Sequence, residues 1–600
     1  MPRAALPYEE PQLVDLLVIA SFLYLLNVIR VVADYLLHAG IIAEITFSII
    51  YGFPVANLLP IEWEATFTAL GYLGLVLVVF EGGLSTNLPV LLSNLPLSIV
   101  CALTGISIPI GFSFALLNAG FGYKPLEAFA AGAALSSTSL GTALAALNSI
   151  TRNRGATPAE KQPTRTSIPP ASTLADSADT IAARTTPDIA SSIPSSPHQL
   201  PLQQTRIGTV LISAAIIDDV IGLVIASLIP ALASVDPDSH GTSHGHLAWT
   251  VVRPLLSSFL IAVGASVIAR FILRPAFWHC GTGERWCAPA REGKAWGACA
   301  FAREGSGWGT TAHADAVKLL AMVAVVSGMA AIANYTDTSV LYGAYLAGLI
   351  LTYICQPPTG QRSSETAREL SCDKTFARTV GPLQGHLFLP LFFASIGFAI
   401  PFLDLWHPTV IWRGILYSVL MCLAKLAVGL PILVYPVTLS LIRTTAYKLQ
   451  ELTHKTRSGG SRSLQSMATR ISRSGRQPMG RTPTLPHTCP KSAIQEDEKI
   501  DSLRHGSLLE NLDETSLGQA AASIPAATFM GIAMVSRGEI GLLIAQLARG
   551  NGSGETPGLL GDEAFLVCIW AILLCTLVGP IGTGVAVRFW GSRLASGLWV

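Results

Sequence analysis

The stretch Ile216-Ile217-Asp218-Asp219-Val220-Ile221-Gly222-Leu223 decides the fold. It lies inside an apolar run from about Ile207 to Leu232, long enough to cross a hydrocarbon core of ~30 Å. A carboxylate at the centre of such a helix costs about 2.5–3.5 kcal/mol on insertion scales. Two adjacent ones also repel each other. A buried pair kept only for helix–helix hydrogen bonding needs one acid, not two. The pair therefore reads as a functional site whose visitor is a cation. The rest of the chain fits a membrane setting: half of the 600 residues are hydrophobic and 13% are charged. The ten cysteines are scattered through apolar spans and basic loops, which is no disulfide framework.

Working outward from that stretch, hydropathy predicts about thirteen spans of roughly 20 residues. They fall near 13–37, 40–58, 65–84, 93–119, 125–148, 206–231, 248–275, 315–334, 338–356, 384–403, 409–436, 522–548 and 563–588. The first is interrupted by Arg30, Asp34 and His38 and is expected to be tilted or partly interfacial. It lacks the basic, apolar, small-residue order of a cleaved leader, so it is expected to stay. The loops 149–205, 276–314, 357–383 and 437–521 hold most of the basic residues, among them Arg152, Lys161, Arg291, Lys294, Arg362, Lys374, Arg457 and Arg476. The short loops between them hold acids instead, such as Glu62, Asp236, Asp337 and Asp562. Positive-inside bias puts the basic loops in the cytoplasm and the N-terminus on the outer or lumenal side. The sequons at Asn334 and Asn551 then fall outside.

Domain boundaries follow the same division. Residues 1–148 carry spans 1–5, 206–275 spans 6 and 7, 315–436 spans 8–11, and 522–600 spans 12 and 13 with a short tail. Loops 149–205 and 437–521 are rich in Ser, Thr, Pro and Arg and read as disordered. Loop 276–314 contains a short repeat, from Ala290 to Gly297 and from Ala302 to Gly309, read as low-complexity expansion. His279, Cys280, Cys287 and Cys299 lie nearby with no usual zinc spacing. No nucleotide-binding glycine motif follows a strand.

Three more places break the apolar rule. The fifth span carries Ser136-Ser137-Thr138-Ser139 between Gly132 and Gly141. Such a cluster weakens a helix and offers hydroxyls and freed carbonyls to a cation, although small-residue helix packing uses the same residues. The eleventh carries Lys425, too deep for easy snorkelling, and a buried ammonium needs a carboxylate such as Asp218. The twelfth carries Arg537-Gly538-Glu539, charges that can offset the ends of two half-helices. Glu44 and Glu81 read as structural acids. The two interrupted spans stand seven apart, so spans 1–6 and 8–13 read as inverted copies joined by span 7. Matching interruptions in two halves point to a transporter site.

These residues resemble the monovalent cation:proton antiporter superfamily, the sodium/hydrogen exchangers, and within it the branch with two adjacent aspartates (cation:proton antiporter type 2). The resemblance rests on Ile216-Ile217-Asp218-Asp219 with Gly222, Phe80-Glu81-Gly82-Gly83-Leu84, Ser136-Ser137-Thr138, Pro390 to Phe398, Lys425 and Arg537-Gly538-Glu539. It implies an all-α polytopic fold of about thirteen helices, an inverted repeat with two crossed discontinuous helices, and a homodimer. It implies that Asp219 binds the ion or proton, with Asp218, Thr138 and Ser137 beside it and Lys425 as the charge partner of Asp218. Ser136, Arg537 and Glu539 would balance the helix breaks. The metal at Asp218 and Asp219 would be the transported sodium or potassium. One departure is that the fifth span offers hydroxyls where some members carry an acid.

The expected activity is exchange of sodium or potassium for protons by an elevator-type movement, not enzymatic catalysis. No resident cofactor and no nucleic-acid partner are expected. The partners are the ions, the bilayer and a second copy. A cation channel is the rival reading, but no filter segment is apparent. An intramembrane aspartyl protease needs acids on facing helices, and neighbours on one helix point ~100° apart. A non-transporting sensor is the remaining alternative.

Overall fold

Every regular element described in the computed structural model of the chain is a helix. The described residues are 12–139, 205–233, 244–279, 311–356, 372–442, 520–550 and 558–594, apart from a few single positions within them. The readings made above for most of the long basic loops, the tandem repeat, Cys280, Cys287, Cys299 and the sequon at Asn551 lie outside them; in the expected loop 357–383, however, Cys372–Thr379 with Lys374 is helical.

In chain order the helices that matter are α1 (Leu13–Leu37), α2 (Gly40–Tyr51), α3 (Ile61–Ser85), α4 (Leu95–Ser113), α5 (Pro125–Ser136) and α6 (Arg206–Ala233). After them come α7 (His244–Ile268), α8 (Thr311–Tyr335), α9 (Val340–Cys355), α10 (Cys372–Thr379) and α11 (Leu389–Phe398). The last four are α12 (Pro408–Leu426), α13 (Ile524–Ala533), α14 (Glu539–Arg549) and α15 (Asp562–Leu594). Wider π-turns extend α4 through Gly120 and α7 through Leu273.

Among the described residues, eight helices are long and apolar enough to cross a bilayer. A ninth span results if Cys372–Thr379 and Gly381–Phe398, bent by 52°, are joined. The other expected spans are shorter. α2, α9 and α13 have 12, 16 and 10 residues, and α5 has 12. At 1.5 Å per residue none of these covers ~30 Å alone. The outer faces of the long helices α7, with its π-turn extension, and α8 are apolar and bare: Phe259, Phe271 and Leu320 are 65%, 69% and 70% exposed. Surface of that kind belongs against lipid tails rather than water.

The helices pack in two sets. α1, α2, α3, α8, α9 and α11 form one, with α3 against α9 and α11. α4, α5, α6, α12, α13, α14 and α15 form the other, with α14 against both α5 and α6. α7 touches α6 in one set and α9 in the other. The α3–α9 crossing is close because glycine meets backbone on both sides. A Cβ on Gly83 would strike the Tyr345 carbonyl, and one on Gly348 the Phe80 carbonyl, the small-residue contact typical of membrane helices.

α1 runs unbroken from Leu13 to Leu37, past Arg30 and Asp34, both of which find partners within the protein. Arg30 Nη1 donates to the Gly385 carbonyl at 2.7 Å, and its Nε stands 3.5 Å from Glu44 Oε1. The Asp34 carboxylate accepts from the Gly40 amide at 2.7 Å. The accepting carbonyls of Gly385 and His386 lie in a π-turn, Gln384–Phe388. Glu44, read as structural, is fully buried in α2.

Candidate functional site

α5 ends where the serines begin. Ser136 is its last helical residue, and Ser137 already has extended backbone with φ −62° and ψ 142°. The Ser136 hydroxyl turns back onto the Ala133 carbonyl at 2.7 Å, the local competition that makes serine a weak helix former. The other break lies between α13 and α14, where residues 535–538 are non-helical. The two interruptions meet. The Ser139 amide donates to the Ser536 carbonyl at 3.0 Å, and Gly538 lies against Ser139 so closely that a Cβ there would sit 2.8 Å from Ser139 Cβ. Gly538 is thus explained by close approach, not by a positive φ.

Breaking a helix leaves backbone carbonyls without partners and a partial negative charge at the carboxyl end. Both are answered by buried cations. Lys425 Nζ donates to the Ser136 carbonyl, and Arg537 Nη1 donates to the Ser137 carbonyl at 3.0 Å. The opposite pole, the amide end of α14, begins with Glu539 as its first residue. The arrangement supplies for α5 what an acid of its own would not: cations belong at a helix carboxyl end.

Asp218 stands at the same junction. Its Oδ2 accepts from Thr138 Oγ1 at 2.5 Å and from Lys425 Nζ at 3.2 Å. Lys425 also reaches Thr138 Oγ1 at 3.0 Å. Asp218, Thr138, Lys425 and Arg537 are all buried, and both members of the Asp218–Lys425 ion pair have fully buried side chains. Asp219, the next residue of α6, is half-buried. One oxygen on each aspartate, Oδ1, has no protein hydrogen-bond partner, and neither has the Ser137 hydroxyl. One turn further along α6, a Cβ on Gly222 would lie 3.3 Å from Ile540 and 3.8 Å from Ser137 Cβ. The absence of a side chain there lets α6 lie flush against both interruptions.

All eight residues singled out from the sequence, Ser136, Ser137, Thr138, Asp218, Asp219, Lys425, Arg537 and Glu539, belong to α6 and the elements packed around it. Ser136 presents its carbonyl to Lys425 while its hydroxyl turns back onto its own helix, and Arg537 bonds the Ser137 carbonyl just beyond the end of α5. Sequence reasoning missed Thr576, whose hydroxyl lies within 3.1 Å of the Arg537 carbonyl, and the buried Tyr417–Ser113 hydroxyl pair at 2.6 Å. Both are ordinary residues in apolar helices and carry no pattern to find them by. Fixed charges and unpaired oxygens gather here out of water.

Residues 17–159 and 307–451 match the family model described as "Sodium/hydrogen exchanger, transmembrane". The two stretches cover just under half of the chain and leave α6 in the gap between them. No curated protein matches the chain. Among solved structures the chain is similar to the sodium proton antiporter MjNhaP1 from Methanocaldococcus jannaschii, with 12% identity and a TM-score of 0.45 over 97% of this chain and 98% of that one. The family match supports cation:proton antiport by a multi-pass membrane protein, and it belongs to transporters rather than enzymes.

Proposed function

We propose that this chain is a member of the sodium/hydrogen exchanger family and exchanges sodium or potassium for protons through Asp219 and Asp218. The observation that carries the reading is an acid pair on α6 beside two helix interruptions that touch each other. The acids have unpaired oxygens although Lys425 beside them is fully partnered, and Arg537 keeps two buried nitrogens, Nε and Nη2, unpaired as well.

The chemistry follows from burial. An isolated carboxylate away from water is costly, so a proton or a cation must neutralise it. An alkali ion needs a dehydrated cage of oxygens with at least one ionised carboxylate. Asp219 Oδ1, Asp218 Oδ1 and the Ser137 hydroxyl are oxygens without protein partners, and Thr138 stands beside them. A proton on Asp219 removes the charge that the ion requires, so the two ligands exclude each other. If the helices around the site shift only when that charge is neutralised, exchange is obligatory.

Lys425 adds a second step. It bonds Asp218 in the arrangement described here. A cation that draws on Asp218 competes with the ammonium and favours release of its proton. Exchange would then move net charge, at ~2.3 kcal/mol per charge per 100 mV.

The wider assignments belong to the same proposal. The set containing α4–α6 and α12–α15 would move as an elevator against the set containing α1–α3, α8, α9 and α11. α5 and the α13–α14 pair would be the crossed discontinuous helices of an inverted repeat. The second set would hold the contact between two copies, and the chain would fall in the two-aspartate branch. The two packed sets and the meeting of the interruptions support this reading.

The test is reconstitution in vesicles with a pH-sensitive dye inside and sodium, potassium or lithium added in turn. The expected result is proton efflux or influx driven by at least one cation gradient and lost in Asp219→Asn. Exchange retained in Asp219→Asn overturns the assignment. Cation flux that never runs against a gradient favours a channel.

A further inference from the structure

Cys355 is the last residue of α9 and Cys372 the first of α10. Their sulfurs lie 3.3 Å apart, and neither is in a disulfide. The pair shares one apolar cluster with Phe80, Leu351 and Phe376. The other close pair among the described residues, Cys422 and Cys575, is 3.8 Å apart and sits within α12 and α15. Cys355 and Cys372 instead sit at two helix ends. Cys355 is 8% and Cys372 3% exposed, whereas Cys101, Cys568 and Cys575 are sealed at 0%. Exposed surface is thus present at both members of this pair, whereas in the Cys422–Cys575 pair only Cys422 is partly exposed and Cys575 is sealed.

We propose that Cys355 and Cys372 are a modification site, a vicinal dithiol that hydrogen peroxide converts into an intramolecular disulfide. Bonding distance is about an ångström closer than the present separation, within reach of a side-chain rotation at helix ends. The helix ends also assign the order. Cys372 opens α10 and Cys355 closes α9, and a helix start carries partial positive charge where a helix end carries partial negative charge. The first setting favours the nucleophile. The Cys372 sulfur attacks one peroxide oxygen, the O–O bond breaks, and a sulfenic acid and one water result. The Cys355 sulfur then attacks the sulfenyl sulfur, the S–S bond forms, the S–O bond breaks, and a second water leaves. Two thiols lose two electrons, and one peroxide gains them. The product staples the end of α9 to the start of α10 and closes the loop between positions 17 residues apart.

The experiment uses the full-length protein in detergent. It is treated with hydrogen peroxide, remaining thiols are alkylated, and peptides are mapped by mass spectrometry with and without dithiothreitol. The expected result is a reducible peptide joining positions 355 and 372, formed about tenfold faster than any link between 422 and 575. In Cys355→Ser a sulfenic acid at Cys372 is expected, captured by dimedone. In Cys372→Ser, Cys355 is expected to stay a thiol. The proposal is overturned if both thiols of the unmodified sequence remain alkylatable at a dose that oxidises free dithiothreitol, or if the 422–575 link forms as fast. Dimedone capture at Cys355 in Cys372→Ser overturns the assigned order. The unmodified sequence alone decides the main point, so a variant that fails to fold costs the test nothing.

Discussion

Lys425 has three donor protons and three acceptors, the Ser136 carbonyl, Thr138 Oγ1 and Asp218 Oδ2, so its capacity is filled. Removing it strands a buried carboxylate and a helix end together. Lys425→Ala is therefore expected to destabilise the protein by about 3–5 kcal/mol, the cost of breaking a buried pair from one side. Asp218→Asn in the same background should recover part of that loss, because no stranded charge is left. Melting of the purified single and double variants checks the coupling, and simple additivity would sink it. Asp219 makes the contrasting case. Its Oδ1 has no hydrogen-bond partner, so Asp219→Asn should melt within about 1 kcal/mol of the parent while exchange disappears. A large loss of stability in that variant would mean that Asp219 holds the structure rather than the ion.

At the scale of the elements, the meeting of the two interruptions depends on Gly538. A Cβ there falls 2.8 Å from Ser139 Cβ and 3.1 Å from its Cα, and backbone cannot yield as a flexible side chain can. Gly538→Ala is expected to cost about 1–3 kcal/mol and to lower the exchange rate by prising α5 from α14. Normal melting with normal exchange would refute that role. Much of this architecture was legible beforehand. Hydroxyls between glycines and charges around a glycine are poor helix, and that weakness is local, so it shows in the sequence. That a buried ammonium needs a carboxylate is equally general, and Lys425 and Asp218 stand 3.2 Å apart across 207 residues. What was not legible depends on partners rather than on local chemistry. Arg30 and Asp34 looked like an interruption because a hydropathy scan charges each its full cost in lipid. Gly385, the partner of Arg30, lies 355 residues away. The same blindness extends to some span ends: a window of apolar residues does not reveal that α2 stops at Tyr51, although it places the end of α9 within a residue of Cys355.

At the scale of the whole molecule, two packed sets imply relative motion only if the contacts between them can be given up. Arg549, at the end of α14, is one such contact. Its guanidinium reaches across to the Ala399 carbonyl beyond α11 at 2.5 Å, while staying 3.4 Å from Asp562 and 4.7 Å from the Phe565 ring within its own set. Arg549 is partly exposed, and α14 runs 11 residues from Glu539 to Arg549, roughly 15 Å at 1.5 Å per residue. A substitution there leaves the acids and their immediate partners untouched. One hydrogen bond contributes about 0.5–1.5 kcal/mol net, more when the donor is charged. Arg549→Ala should therefore reduce the weight of the present arrangement about two- to tenfold against any other that the two sets share, by the arithmetic of two-state populations. Spin labels at the exposed positions Leu73 on α3 and Leu547 on α14 report the distance between the two sets in vesicles. The expected outcome is a second distance, or a broader one, that grows in Arg549→Ala and responds to sodium or potassium. An unchanged single distance in both proteins, with and without cation, would mean that the sets form one rigid body, and exchange would then need a pathway through a fixed scaffold rather than a moving one.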